Sequence, residues 1–169
     1  MDATKMTIGR NVRVDLVGRA LQVPAKVDTG ADSSSVWASN VEILQNGTLQ
    51  FTLFDIGSPF YDGKLISTDQ YTVAMVRSAT GHEEIRYRVI LPVQIKSKRI
   101  KAVFNLSNRA RNRFPILIGR RTLSNKFVVD VTMADDAGEL VFKNEVKLLR
   151  SELIDNPYAF YKKYHGKDL

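Results

Sequence analysis

Cysteine is absent from the 169 residues, histidine occurs twice and tryptophan once. Without cysteine there is no disulfide framework, no thiolate nucleophile and no thiolate metal site. The fold must then rest on an apolar core, which a single domain of this length can supply. The lack of cross-links fits a reducing compartment. His82 and His165 lie far apart in polar surroundings, without a His-Glu-x-x-His spacing, so no zinc centre, and no metal site of any kind, is expected. A Gly-rich loop ending in Lys-Ser or Lys-Thr is also missing, which leaves nucleotide phosphates without a cradle. No apolar run reaches the ~18 residues of a membrane span. Residues 1–6 show no basic segment leading into an apolar one, so a cytoplasmic protein without a leader is expected.

Acidic residues are missing from one long segment. Between Ile95 and Arg121 stand Lys96, Lys98, Arg99, Lys101, Arg109, Arg111, Arg113, Arg120 and Arg121 with no Asp or Glu, inside a chain of net charge +7. Such a segment attracts acidic peptides or other polyanions, unless it is only a solvated basic face. A nucleic-acid platform needs exposed aromatics among the cations. Here there are only Phe104 and Phe114, both on expected buried faces, which makes that reading the weakest.

What is present is mostly β pattern. Val12, Val14 and Leu16 alternate with polar neighbours in a strand over 11–18; Gly18-Arg19 turns, and 20–27 returns. A short buried segment at 36–38 and a strand at 50–54 follow, separated by the turn 45–47. The Gly-, Pro- and Asp-bearing stretch 55–69 reads as a surface loop. Runs at 71–76 and 84–91 form a hairpin around 77–83, and runs at 92–96 and 99–106 form another, with Ile100, Ala102, Phe104 and Leu106 on one face. After a polar loop at 107–113 come a strand at 114–118, a one- or two-turn helix at 120–125, and strands at 127–131 and 139–142 around a turn at 135–138. Val146, Leu148, Leu149, Leu153 and Ile154 then give a short amphipathic helix, and Asn156-Pro157 opens a last helix through Tyr164. The expected architecture is all-β, a closed barrel over 1–142 with one short helix, followed by a helical extension over 143–169.

The chain is organised around Val27-Asp28-Thr29-Gly30-Ala31-Asp32-Ser33-Ser34-Ser35, a carboxylate set between a β-rich approach and a Gly turn. A calcium loop does not fit, since Gly30 and Ser39 occupy its third and twelfth positions. Asp28 also lacks the following Lys of a phosphoryl-acceptor aspartate.

Asp-Thr-Gly-Ala after an apolar strand resembles the active-site signature of aspartic peptidases, and its single copy resembles the retropepsin type. About ninety residues later Phe114-Pro115-Ile116-Leu117-Ile118-Gly119-Arg120-Arg121-Thr122-Leu123 resembles the apolar-apolar-Gly-Arg segment of that type. Val76-Arg77-Ser78-Ala79-Thr80-Gly81, Pro115 to Arg121 and Phe127 to Val131 are further similar to a bacterial retropepsin-like family often labelled putative ATP-dependent zinc protease. The resemblance covers roughly residues 10 to 132. It implies a closed retropepsin-like barrel, aspartic peptidase chemistry without cofactor, and a homodimer in which each chain supplies one Asp28, since one carboxylate cannot serve as both base and acid.

By the same resemblance Asp28, Thr29 and Gly30 are the catalytic set, with Thr29 reaching towards the partner's loop and Gly30 admitting a backbone N–H beside the carboxylate. Ala31, Asp32, Arg77, Ser78, Ala79, Thr80 and Gly81 would border the substrate, the last five on a flap with a single Gly. Gly119 and Arg120 would support the loop, with Arg120 in a partly buried ion pair with Asp32. Members of the family are associated with ATP-grasp ligases that add glutamates, which with the basic segment favours an acidic peptide or protein substrate. The alternatives are a catalytically silent peptide-binding dimer and, last, a nucleic-acid binder.

Overall fold

The computed structural model describes residues 4–77, 81–134 and 139–166, with side chains in the first long helix from Val146 onward. It divides into two compact units, Met1–Asp135 and Asp136–Leu169.

The first unit is a β-barrel. β2 (Asn11–Leu16) turns at Gly18 into β3 (Ala20–Val27), which leads directly into Asp28-Thr29-Gly30. β4 (Ser34–Ile43) pairs with β5 (Leu49–Leu53), and β5 pairs with β6 (Leu65–Thr68). β7 (Tyr71–Arg77) and β8 (Glu83–Ile95) form one hairpin, and β8 and β9 (Lys98–Ser107) the next. β10 (Ile116–Ile118) runs parallel to β3 and antiparallel to β4. The order β10-β3-β2-β8-β9-β4 therefore returns to β10, and six strands close the barrel. β1 (Met6–Ile8) and β11 (Phe127–Val129) make a separate parallel pair. Between β10 and β11 lies the four-residue helix α1 (Arg120–Leu123).

Period-2 alternation builds the core. Val12, Val14 and Leu16 of β2, Val23, Ala25 and Val27 of β3, Val89, Leu91 and Val93 of β8, and Ala102, Phe104 and Leu106 of β9 are all buried in one cluster. Phe51, Phe54 and Phe104 are fully buried within it.

Several expectations need correction. The stretch 55–69 is not loop throughout, because Leu65–Thr68 pairs with β5 as an edge strand. Pro92 does not divide two strands. β8 runs through it, with its carbonyl accepting from the Val17 N–H and no donor required of it. Residues 139–142 are not a strand but the start of α2 (Glu139–Asp155). The apolar residues Phe142, Val146, Leu149 and Leu153 recur at steps of four, three and four, which is a helical period that the triplet Leu140-Val141-Phe142 hides in a short window. The turn at 135–138 falls outside the described residues.

The second unit joins α2 to α3 (Pro157–His165). Asn156 caps α3 by accepting from the Ala159 N–H at 3.0 Å, with Pro157 at the first turn as the sequence predicts. Glu152 of α2 receives Lys163 Nζ at 3.0 Å and the Tyr164 hydroxyl at 2.9 Å, and both bonds hold its carboxyl below the usual carboxylate range. Among the described residues no helix is long and apolar enough to cross a membrane.

Phe104 sits where three strands meet: β9 itself, β4 through Ser34, and β8 through Val89. Phe104→Ala should lower the unfolding free energy by about 3–5 kcal/mol, read as a shifted urea midpoint with unchanged slope.

Candidate active site

β3 and β10 together deliver Asp28. Their parallel register ends with Ile118 opposite Val27, and the ladder runs one bond further as the Asp28 N–H donates to the Ile118 carbonyl at 2.9 Å. The chain then leaves the sheet. Asp28 Oδ1 accepts from the backbone N–H of Gly30 at 3.1 Å and of Ala31 at 3.2 Å, so the loop folds back on its own carboxylate. A Cβ on Gly30 would lie 3.3 Å from Asp28 Oδ1, so a side chain there would crowd the carboxylate.

The two carboxylate oxygens therefore differ. Oδ1 is held by two donors, whereas Oδ2 faces Lys26 Nζ at 3.6 Å and has no hydrogen-bond donor among the described residues, with the side chain 29% exposed. Thr29 and Gly30 are exposed.

The loop is braced from behind by the Gly-Arg segment. The Arg120 N–H donates to the Ala31 carbonyl at 2.8 Å and the Arg121 N–H to the Asp32 carbonyl at 3.2 Å. The Gly119 N–H donates to Ser34 Oγ at 3.0 Å, and Ser34 Oγ lies 2.7 Å from Thr122 Oγ1, with both hydroxyls buried. Gly119 passes so close to the loop that a Cβ there would lie 2.5 Å from the Ser33 carbonyl carbon and 2.9 Å from the Ala31 carbonyl oxygen. Its φ of −90° suits any residue; the requirement for glycine is one of space.

Asp32 and Arg120 do meet, at 3.6 Å, but the expected partly buried pair is not found. Asp32 is half exposed, Arg120 more so, and Asp32 makes a shorter contact of 2.8 Å with Arg121 Nε. An ion pair in this setting contributes at most about 1 kcal/mol, not the several kcal/mol of a buried one.

On the hairpin, Arg77 is engaged by Glu83 and Arg86 by Glu84. Gly81 adopts a positive φ of 83°; Ser78, Ala79 and Thr80 fall outside the described residues. Arg88 turns the other way. Its Nη2 donates to Ser33 Oγ and its Nε to Asn105 Oδ1, both at 2.9 Å. Arg109 donates to Ser35 Oγ at 3.2 Å and to the Phe114 carbonyl at 3.0 Å.

The motifs at Asp28 and Gly119 are thus brought together. The residues that sequence reasoning passed over are the ones that join them, Ser33, Ser34 and Thr122, together with Lys26 and Asn105. A run of three serines entering a strand was the available signal, since alternate members must face opposite sides.

Gly119→Ala should destabilise the fold by about 1–3 kcal/mol in urea unfolding, because backbone rather than a flexible side chain has to move. Asp32→Asn should cost no more than about 1 kcal/mol, and the difference should vanish in about 1 M salt.

Comparison with known proteins agrees with this geometry. A probable alpha-L-glutamate ligase of Desulfotalea psychrophila is 25% identical over 121 residues, covering 70% of this chain and 26% of that protein. One of Shewanella pealeana is 29% identical over 126 residues, covering 71% of this chain and 28% of its own length. This chain thus spans about a quarter of the length of these curated relatives. The crystal structure of a Legionella pneumophila protein described as of unknown function (DUF785) superimposes with a TM-score of 0.62 at 27% identity, covering 78% of this chain and 97% of that one. A family model described as retropepsin-like aspartic endopeptidase RimB matches residues 7–136, which include the barrel, the Asp28 loop and the Gly119 segment. On that match the chain belongs to the RimB-like family of retropepsin-like aspartic endopeptidases.

Proposed function

We propose that the protein is an aspartic endopeptidase of retropepsin type that acts as a homodimer, each subunit supplying one Asp28, on peptides rich in acidic residues. The observation that carries this reading is the state of Asp28, with Oδ1 held by two backbone donors and Oδ2 left open on a loop braced by Gly119. A single carboxylate of this kind cannot both take a proton from water and give one to the substrate. Two brought within a few ångströms cannot both ionise and so share one proton, which supplies base and acid together. The ionised member removes a proton from water, whose oxygen adds to the peptide carbonyl; the protonated member donates to the developing oxyanion. Collapse of the tetrahedral species with protonation of nitrogen then breaks the C–N bond. The exposure of Thr29 and Gly30 leaves the loop accessible to a second copy.

Charge supports the acidic substrate. Lys26 lies beside Asp28, Arg88 is bonded to Ser33 in the same loop, and the chain carries an excess of seven positive charges. The curated relatives are named as probable alpha-L-glutamate ligases, and hydrolysis of glutamate-rich chains is the reverse of the bond-forming chemistry in that name.

Sedimentation of the wild type, with peptide-library cleavage by wild type and Asp28→Asn between about pH 4 and 8, tests the reading. A dimer that cleaves next to acidic residues, and whose cleavage falls at least a thousandfold in the variant (roughly the loss expected when a group acting as a unit is removed), is the expected result. A monomer without cleavage across that range would overturn it. A dimer that binds acidic peptides without cutting them would instead identify a silent binding protein.

A further inference from the structure

Beside the catalytic loop lies a cavity of about 140 Å³ whose lining includes Ser33, Arg88, Lys101, Arg121 and Lys126 and no acidic residue. Four cations around a small cavity repel one another, and a fold ordinarily relieves this by placing carboxylates between them. Arg121 has such a partner in Asp32, which also meets Arg120. Arg88 has none among the described residues. Its guanidinium is partly buried and bound only by neutral oxygens, Ser33 Oγ and Asn105 Oδ1.

The position of Asn105 sharpens the point. Registers across three strands place Ser35, Asn105 and Arg88 in one row, Ser35 opposite Asn105 and Asn105 opposite Arg88. Asn105 is buried and its Oδ1 is 2.9 Å from Arg88 Nε. An aspartate has the same shape and would neutralise the guanidinium at that spot; the chain carries the amide, which positions Arg88 and leaves its charge in place. At the other end of that row Ser35 holds Arg109 in the same manner, with neutral acceptors only among the described residues. Burial first, and then the charge of Arg86, hold the Arg109 pKa below the usual guanidinium value, so cations are packed together along this flank at an electrostatic cost.

We infer that the cavity lined by Ser33, Arg88, Lys101, Arg121 and Lys126 is a carboxylate-binding subsite that takes the side chain of one glutamate or aspartate of the substrate, with Arg88 as its specificity-determining residue. The inference rests on the peptidase reading above for the name of its ligand, and adds the place where acidity is read. Ser33 links the subsite to the Asp28 loop, so a peptide anchored there lies across that loop. Arg88 keeps Nη1 and a second Nη2 hydrogen for a carboxylate after bonding Asn105 and Ser33, and Lys101 and Lys126, which form no ion pair among the described residues, add charge to the lining.

The test is binding of fluorescein-labelled hexaglutamate and hexaglutamine peptides to the Asp28→Asn protein, measured by anisotropy at fixed ionic strength, so that cleavage is not needed. Adding Arg88→Gln should weaken hexaglutamate about tenfold or more, the worth of one charge-assisted contact, and hexaglutamine less than about twofold. Asn105→Asp, which keeps the side-chain shape and cancels the Arg88 charge, should produce the same selective loss while leaving the unfolding midpoint unlowered. Arg99→Gln removes an equal charge from an exposed position on β9 outside the cavity and should change neither peptide by more than about twofold. Equal losses for Arg88→Gln and Arg99→Gln, or no loss from Asn105→Asp, would overturn the subsite in favour of a diffuse basic surface. Displacement of hexaglutamate by millimolar inorganic phosphate but not by millimolar glutarate would overturn the carboxylate assignment. If the wild type proves unable to cut any peptide while these binding differences persist, the subsite stands and the peptidase reading falls.

Discussion

Ser34 Oγ lies 3.0 Å from the Gly119 amide and 2.7 Å from the Thr122 hydroxyl, and both side chains are buried. These two bonds fasten the end of the Asp28 loop to a segment some 85 residues further along the chain. In a dry environment the clasp is close to obligatory, because losing either hydroxyl strands the other at about 1–3 kcal/mol. The rest of the site depends on it. With Ser34 fixed, Gly119 can pass under the Ser33 carbonyl, the Arg120 amide can reach the Ala31 carbonyl, and the Ile118 carbonyl is presented to the Asp28 amide. Asp28 is thus placed by backbone groups, its amide on the Ile118 carbonyl and its Oδ1 under the Gly30 and Ala31 amides.

That placement gives the carboxylate its asymmetry. Oδ1 uses its lone pairs on the Gly30 and Ala31 amides, which point at it only because the loop turns back within three residues. Among the described residues Oδ2 has no backbone partner and meets only Lys26, at 3.6 Å. The strand end thus presents one oxygen held by two backbone donors and one beside Lys26 alone among the described residues, on a loop whose next two residues are exposed. The loop is held by Ile118 of β10, by the Arg120 and Arg121 amides of α1 and, through Ser33, by Arg88 of β8, while Thr29 and Gly30 stay exposed.

The sequence was informative wherever local pattern decides structure. Alternation at Val12, Val14 and Leu16 and at Ala102, Phe104 and Leu106 marked the core faces, and the turn at Gly18 and the cap at Asn156 stand where their residue types require. It misled where a short window admits two periods. Leu140-Val141-Phe142 reads as β until the spacing to Val146, Leu149 and Leu153 is included, and Leu65–Thr68 is a strand only because β5 offers it an edge. Pro92 looked like a boundary because proline lacks a donor, yet nothing asks for one there. The clasp of Ser34 and Thr122 had no local signature, because hydroxyls so distant in the chain become partners only when β10 pairs with β4 and leads into α1. Asp32 and Arg120 were paired correctly by motif, but motif carries no information on burial, and exposure reduces the pair to a minor contact.

The arginines of the hairpin show how register alone divides similar residues between structural and chemical duties. Arg77 stands directly opposite Glu83 in the β7–β8 ladder and pairs with it. Arg86 shares a strand face with Glu84, two residues before it, and pairs there at 2.6 Å. Arg88 lies on that same face two residues nearer the barrel, where the opposing strand supplies Asn105 in place of an acid. From the flap inward, three side chains of one type thus pass from an exposed ion pair, through a half-buried one, to a partly buried guanidinium with neutral acceptors only. Neutralisation by a carboxylate is thus lost at the innermost of the three, where the guanidinium meets only neutral oxygens among the described residues. Stability alone would favour a carboxylate opposite Arg88, and the strand supplies the amide of Asn105 instead.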